Sequence, residues 1–223
     1  MYMQKFEFPR AFFVTATDTE MGKTVISAML MIGLQGHYWK PIRTGARPYV
    51  DYTDNEWVQM KTGLPDERFF PETYLLKHHV SPHLAARLEG VEIDVEKIKM
   101  PNDKKWKHLI VEGAGGLLVP INDSLFIIDV IKHLNLPALI VARSTLGTIN
   151  HTLLTVEKLK EKKIPIVGVI MNGPKNSENK QAIEKYGQIK VLAEIEQINP
   201  INARSLQEAF DDQFCVVKPV EVY

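Results

Sequence analysis

FFVTATDTEMGKTVISAMLMIGL, residues 12–34, decides how the rest of the chain is read. Phe12, Phe13 and Val14 form a short apolar, β-favouring run; the polar loop Thr15 to Met21 follows, and an amphipathic segment opens at Lys23. The order is strand, loop, helix. A loop closing on Gly22-Lys23-Thr24 at a helix start suits an anion. Gly22 lets backbone N–H groups approach, the helix N-terminus adds partial positive charge, Lys23 reaches outer phosphates, and the Thr24 hydroxyl suits Mg²⁺. The usual spacing has a glycine five residues before Gly22, where this chain has Thr17, and the nearest small residue, Ala16, lies one position further back. The loop is therefore one residue longer than usual. The plainer alternative is a chance Gly-Lys-Thr; the strand just before it favours the phosphate loop.

The chain of 223 residues is 45% hydrophobic, enough for one large domain with a substantial core spanning residues 1–223. Lys plus Arg and Asp plus Glu both number 27, so the charge balance offers no footprint for nucleic acid. The single Cys215 excludes an intrachain disulfide framework and cannot by itself make a structural zinc site. With no signal-peptide pattern and no eighteen-residue apolar span, the expectation is a cytoplasmic protein that does not engage a membrane.

Outward from the loop, short β-like runs alternate with helical patterns. The first helix spans Lys23 to Gln35 and stops at Gly36. His37 to Trp39 form a short strand ending at Lys40-Pro41, where proline carries the chain out of the sheet. Strand C-terminal ends face the ligand crevice of an open α/β sheet, so Lys40 contacts a phosphate or anionic nucleophile there, or is a solvated surface lysine. Ala46 to Thr53 read as a loop, and Thr53 or Asp54 caps the helical pattern that follows. Ser81-Pro82-His83 opens another helix, with Ser81 as N-cap, Pro82 at the first position and His83 structural. Lys104, Lys105 and Lys107 read as a solvated loop.

In HLIVEGAGGLLVPIN, Leu109 to Val111 form a buried-type strand, and Glu112 stands at its end before a glycine turn. That carboxylate suits a cation site beside the phosphate loop; the alternative is a plain turn. Two unit charges about 4 Å apart interact by ~4 kcal/mol at an effective dielectric near 20, so acidic groups flanking a bare triphosphate are strongly repelled. If Glu112 and Asp54 both flank the loop, a divalent cation must lie between them. Pro137 to Ala142 is a further strand, followed by a helix from Thr148 to Lys162 whose N-terminus is a second candidate anion site. Strand Ile166 to Met171, helix Ser177 to Tyr186 and a strand around Lys190 to Ala193 complete the rhythm. The fold class is α/β: a mostly parallel sheet with helices on both faces.

Taken together, VTATDTEMGKT, WKPIRTG, SPHLAA, VEGAGG and LGTINH, spread from Phe13 to about Ile198, resemble the dethiobiotin synthetase family. The resemblance implies a single-domain P-loop NTPase fold and an ATP- and Mg²⁺-dependent ring closure of 7,8-diaminopelargonate with CO₂. It implies Lys40 and Lys23 as catalytic residues, with Glu20, Met21, Gly22, Lys23, Thr24 and Val25 wrapping the triphosphate. Thr24, Asp54 and Glu112 become Mg²⁺ ligands, which replaces the capping role for Asp54. Gly113, Ala114 and Gly115 border the nucleotide, Asn172 and Gly173 meet the adenine, and Glu196 and Gln197 edge the base. Thr44 is a substrate hydroxyl, while Gly147 and Asn150 belong to the region that receives the substrate's carboxylate and meets a second subunit, implying a homodimer. Here Ala193-Glu194-Ile195-Glu196 stands where the family commonly has Gly-Glu-Ile-Pro.

The main rival is a partitioning-type ATPase, a nucleotide-gated interaction protein. Such proteins usually carry a second lysine early in the loop and often an amphipathic terminal helix; Ala16 to Met21 contains no lysine, and neither terminus reads as amphipathic. Asn172-Gly173-Pro174 is not the guanine-reading segment of a GTPase, and the scattered arginines do not form the lid of a small-molecule kinase.

Overall fold

The computed structural model describes residues 6–45, 52–101 and 106–214. The expectations for residues 46–51, for Lys104 and Lys105, and for Cys215 lie outside them.

Strand β1 (Ala11–Ala16) is longer than its apolar run, carrying through Thr15 before the loop begins. Helix α1 (Lys23–Leu34) follows. Its left-handed C-terminal residue is Gln35, not Gly36. Gly36 answers a different need: a Cβ there would lie 2.6 Å from the Ile110 side chain, so the glycine lets the chain re-enter the sheet beside the neighbouring strand.

Strands β2 (His37–Trp39) and β3 (Ile42–Arg43) precede helix α2 (Asp54–Thr62). Short strands β4 (Phe69–Phe70) and β5 (Tyr74–Leu75), which the sequence pattern does not announce, lead to α3 (Pro82–Leu88). Pro82 opens that helix as expected, but the Ser81 hydroxyl makes no cap bond and instead lies 3.0 Å from His83 Nδ1. Strand β6 (Leu109–Gly116) continues through the glycines expected to form a turn, with a bulge against β1 between Val14 and Ala16 and Gly115 at φ 71°. A Cβ on Gly113 would lie 2.5 Å from the Phe13 ring, so close strand packing explains that glycine. Then come α4 (Ile127–His133), β7 (Ala138–Arg143), α5 (Thr148–Glu161), β8 (Ile166–Asn172), α6 (Ser177–Gly187), β9 (Val191–Ile195) and α7 (Ala203–Phe214).

The main sheet has seven strands in the order β4-β2-β6-β1-β7-β8-β9, every pair parallel, while β3 and β5 form a small parallel pair beside it. Alternation along each strand supplies both faces. Phe12, Val14, Ile110, Leu139 and Val141 pack on one side with α1 and α7; Phe13, Val111, Ile140 and Val169 pack on the other with α4, α5 and α6. Both faces are therefore covered, which is why these strands read as continuous apolar runs.

Helix α7 corrects the expectation that neither end of the chain is amphipathic. Leu206, Phe210 and Phe214 form a buried stripe on it, while Arg204, Glu208 and Asp211 face water. The stripe is already occupied: Phe210 sits where a Gly33 Cβ would be, and its ring joins Phe8, Phe12 and Phe214 in one aromatic cluster. Phe210→Ala is expected to destabilise the fold by about 3–5 kcal/mol, the range for removing a buried aromatic ring, measured as a lowered urea midpoint at unchanged m-value.

Candidate nucleotide and metal site

The C-terminal ends of β1, β2, β6 and β8 converge on one edge of the sheet, around the strand whose neighbours lie on either side of the topological switch. Gly22, at φ 85°, precedes Lys23 and starts α1. Asn172, at the end of β8, donates its side-chain amide to the Met21 carbonyl at 3.0 Å, and the same nitrogen would lie 2.2 Å from a Cβ on Gly22. Glu20, at φ 57°, is exposed on the loop.

Four side chains from four separate elements meet beside this loop. Thr24 Oγ1 on α1 lies 3.1 Å from Asp54 Oδ1 and 2.9 Å from Glu112 Oε1. Lys40 Nζ, just past β2, lies 2.8 Å from Asp54 Oδ2 and 3.0 Å from Glu112 Oε1. Glu112 is fully buried on β6, and the buried Tyr38 hydroxyl donates to its other oxygen, Oε2, at 3.0 Å. Arg43, from β3, donates one guanidinium nitrogen to Asp54 Oδ2 and another to the Tyr52 carbonyl at 3.1 Å. Thr53, not Asp54, caps α2: its hydroxyl accepts from Glu56 N–H and Glu56 returns the bond, forming a capping box. Asp54 is thereby free to turn toward the cluster.

The charges respond to this arrangement. Burial alone lowers Lys40, but Glu112 and Asp54 outweigh it and hold the ammonium above the usual lysine range, so it is a cation at neutral pH. Burial pushes Lys23 down, with Lys40 adding repulsion against the attraction of Glu112. Burial would raise Asp54, yet Lys40 and Arg43 keep its carboxyl below the usual aspartate range. Burial, then the Glu112 charge, raises the Tyr38 phenol well above its ordinary value, so it remains a donor.

The donor set fits Mg²⁺. Thr24 has a single hydroxyl proton but faces two carboxylate oxygens, so one acceptor is always left looking into the cluster. Two carboxylates and a hydroxyl are hard oxygen ligands of the number Mg²⁺ takes from protein when phosphate and water complete its shell. Among the described residues no group of three or more His, Cys, Asp or Glu gathers as a metal site.

A cavity of about 640 Å³ opens over the cluster, lined by Lys23, Lys40, Thr44, Glu112, Ala114 and Gly115 among others. Trp57, His79 and Val80 form walls that sequence reasoning did not single out. Tyr38 and Arg43 were missed as well. Tyr38 was findable, because a residue two before Lys40 shares its side of an extended chain. Of the remaining expected site residues, Val25 lines the cavity with the loop, and Gly113 lies buried in β6 beneath it. Gly173 donates its N–H to the Ile195 carbonyl at 2.8 Å, which ties the end of β8 to β9. Glu196 and Gln197 are exposed just beyond β9, with Glu196 3.8 Å from Lys175. Gly147 and Asn150 do not line this cavity; they are exposed at the start of α5, next to Leu146.

Fold and loop together define a phosphate-loop nucleotide-binding protein. A family model described as an AAA domain matches residues 10–205. The ATP-dependent dethiobiotin synthetase BioD of Paramagnetospirillum magneticum is 46% identical over 197 residues, covering 88% of this chain and 93% of that protein. Its namesake from Afipia carboxidovorans is 42% identical over 201 residues, covering 90% and 94%. The chain belongs to the ATP-dependent dethiobiotin synthetase family. Among solved structures, a chain of the MinC:MinD cell division protein complex of Aquifex aeolicus aligns with a TM-score of 0.55 at 15% identity, covering 96% of this chain and 100% of that one. That likeness is one of fold. Among the described residues no helix is long and apolar enough to cross a membrane.

Glu72, beside the small sheet, offers a test of the electrostatics. Burial raises its carboxyl above the usual glutamate range, against its own backbone N–H and the Arg43 charge, and among the described residues its buried Oε1 has no hydrogen-bond partner. A raised carboxyl penalises the folded state only when ionised: the penalty is absent below the unfolded value of about 4.3 and complete above the folded one. Glu72→Gln is accordingly expected to raise the thermal midpoint at pH 7, with the gain shrinking to nothing as pH falls below about 4. Paired melts across that range check it.

Proposed function

We propose that this chain closes 7,8-diaminopelargonate and CO₂ into the cyclic urea dethiobiotin at the expense of ATP, with Mg²⁺. The observation that carries the reading is the meeting of Thr24, Lys40, Asp54 and Glu112 beside the phosphate loop, from elements distant in sequence. Membership in the synthetase family supplies the substrate class.

One substrate amine adds to the carbon of CO₂ and loses a proton, giving a carbamate. A carbamate oxygen then attacks the γ-phosphorus as the bond to ADP breaks. The second amine attacks the resulting mixed anhydride at carbon, and phosphate departs while that nitrogen sheds its proton. Phosphoryl transfer of this kind asks the protein for position and charge neutralisation more than for covalent help. Lys40, held protonated by its carboxylate neighbours, is a donor and a positive charge rather than a base. It faces the cavity where the carbamate and the transferring group meet. Lys23 and the loop N–H groups from Glu20 to Val25 take the phosphate chain. Thr24, Asp54 and Glu112 would hold Mg²⁺, whose contribution when bound is to neutralise phosphate oxygens. Thr44 lines the same cavity and offers a hydroxyl to substrate. Asn172 and Gly173, with Glu196 and Gln197 beyond β9, form the edge toward the adenine.

The substrate's carboxylate end belongs at the N-terminus of α5, contributed by a second copy of the chain. In support, Leu146 is 96% exposed beside Gly147, and Leu118 and Leu154 are exposed nearby. The rival reading, a nucleotide-gated interaction protein, rests on fold alone, and α7 keeps its apolar stripe buried.

Incubation with diaminopelargonate, bicarbonate, Mg²⁺ and ATP is expected to yield the cyclic urea by mass spectrometry. Lys40→Ala should lower turnover by about 10²–10³-fold, the scale for losing one preorganised charge-stabilising donor, while circular dichroism stays unchanged. ATP hydrolysis that proceeds equally without any diamine favours the interaction-protein reading instead. Leu146→Asp is expected to shift the sedimentation of the protein from dimer to monomer; an unaltered profile removes this face from the dimer seam.

A further inference from the structure

Each of the two acidic side chains in the cluster has one oxygen turned inward and one held from behind. Glu112 directs Oε1 at Thr24 and Lys40, while the Tyr38 hydroxyl holds Oε2 at 3.0 Å. Asp54 directs Oδ1 at Thr24 at 3.1 Å, while Arg43 holds Oδ2 together with Lys40. The two clamps differ in chemistry but perform the same act. Tyr38 and Arg43 stand behind the cavity wall that Lys23, Lys40 and Glu112 form, so neither is placed to touch nucleotide or diamine. Neither lines the cavity.

Lys40 is shared between the carboxylates and the reacting groups. Two of its three N–H donors go to Asp54 at 2.8 Å and Glu112 at 3.0 Å, and the third is left for substrate, so a flexible cation with several demands on it cannot alone fix how either carboxylate is turned. A largely buried carboxylate without a compensating partner is costly and free to rotate. Tyr38 and Arg43 remain in place because each is tied elsewhere: Tyr38 by its strand, wholly enclosed in the sheet, and Arg43 by its second nitrogen on the Tyr52 carbonyl at 3.1 Å.

We propose that Tyr38 and Arg43 are positioning residues that fix the rotation of Glu112 and Asp54, so that one oxygen of each faces the Thr24 hydroxyl and sets the affinity for Mg²⁺. This rests on the metal placement given under the proposed function. Groups that orient metal-binding side chains from outside commonly govern metal affinity by about 10–100-fold.

The test is the Mg²⁺ dependence of ATP binding, followed by calorimetry on the full chain without diamine. In Tyr38→Phe and Arg43→Gln the Mg²⁺ concentration for half-maximal binding should rise about tenfold, with ATP affinity in EDTA within twofold of the unsubstituted protein. Arg43→Lys, which keeps a cation near Asp54, should recover part of the loss. A lower melting temperature with an unmoved Mg²⁺ requirement in both variants overturns the proposal and leaves them structural only. Should either variant fail to fold, the other carries the measurement, and Arg43→Lys provides a third. Failure of the underlying reading shows itself differently: ATP binding by the unsubstituted protein would then ignore Mg²⁺, which overturns the metal placement and this assignment together.

Discussion

A fully buried carboxylate must be compensated, and in this protein Glu112 is that carboxylate. Its two oxygens are met by Thr24, Lys40 and Tyr38, which arrive from α1, the end of β2 and the middle of β2. Meeting that demand fixes where two elements, α1 and β2, stand relative to β6, and through Asp54 it fixes α2 as well. The parallel register does the rest: β1 and β2 both pair with β6, so the chain leaves all three strands on the same edge. Structure and chemistry thus share one requirement. The charges that stop the interior from coming apart are also those that a polyphosphate and its counter-ion need.

Much of this was legible in the chain because it is local. Gly22-Lys23-Thr24 behind a strand, Lys40 ahead of a proline and Glu112 after an apolar run each carry their signal within a few residues. The resemblance to a synthetase family joined them, and the similarity of the chain to family members across most of its length agrees. Asp54 shows where local reading stops. Thr53 and Asp54 are equal candidates for the cap in sequence, and only the structure gives the cap to Thr53 and turns the Asp54 carboxylate toward Thr24. Gly113, Gly115 and Gly116 show the opposite failure: glycines that look like a turn lie in a bulged strand, where Gly113 leaves room for the Phe13 ring and Gly115 takes a φ of 71°. Tyr38 could be placed on the Lys40 side of its strand by spacing, but its partner Glu112 lies 74 residues away and that of Arg43 lies 11 away across a loop, so neither contact is written in the local pattern. Helix α7 escaped because its apolar positions become meaningful only against Gly33 and the aromatic residues near the start of the chain.

The same architecture serves a cell division protein of Aquifex aeolicus at 15% identity, so the scaffold by itself does not choose a reaction. What separates the readings is what stands around the phosphate loop. Here it is a cavity roofed by Trp57, His79 and Val80 rather than an apolar helix left open to a partner. Lys40 enters that cavity from beside Asp54 and Glu112, so the cation and the two carboxylates form one electrostatic unit.

The contact between Asn172 and Gly22 has a bearing on how such a chain can diverge. The amide occupies the volume that any larger residue at 22 would need, and it ties the end of β8 to the loop carbonyl of Met21. Gly22 is therefore fixed twice over, since its φ of 85° strains any other L residue and the amide fills the volume a side chain would take, while shortening residue 172 surrenders the tie to Met21. A change at the far end of β8 is thus felt 151 positions earlier in the chain, at the mouth of the first loop, so neither end can be altered as though it stood alone.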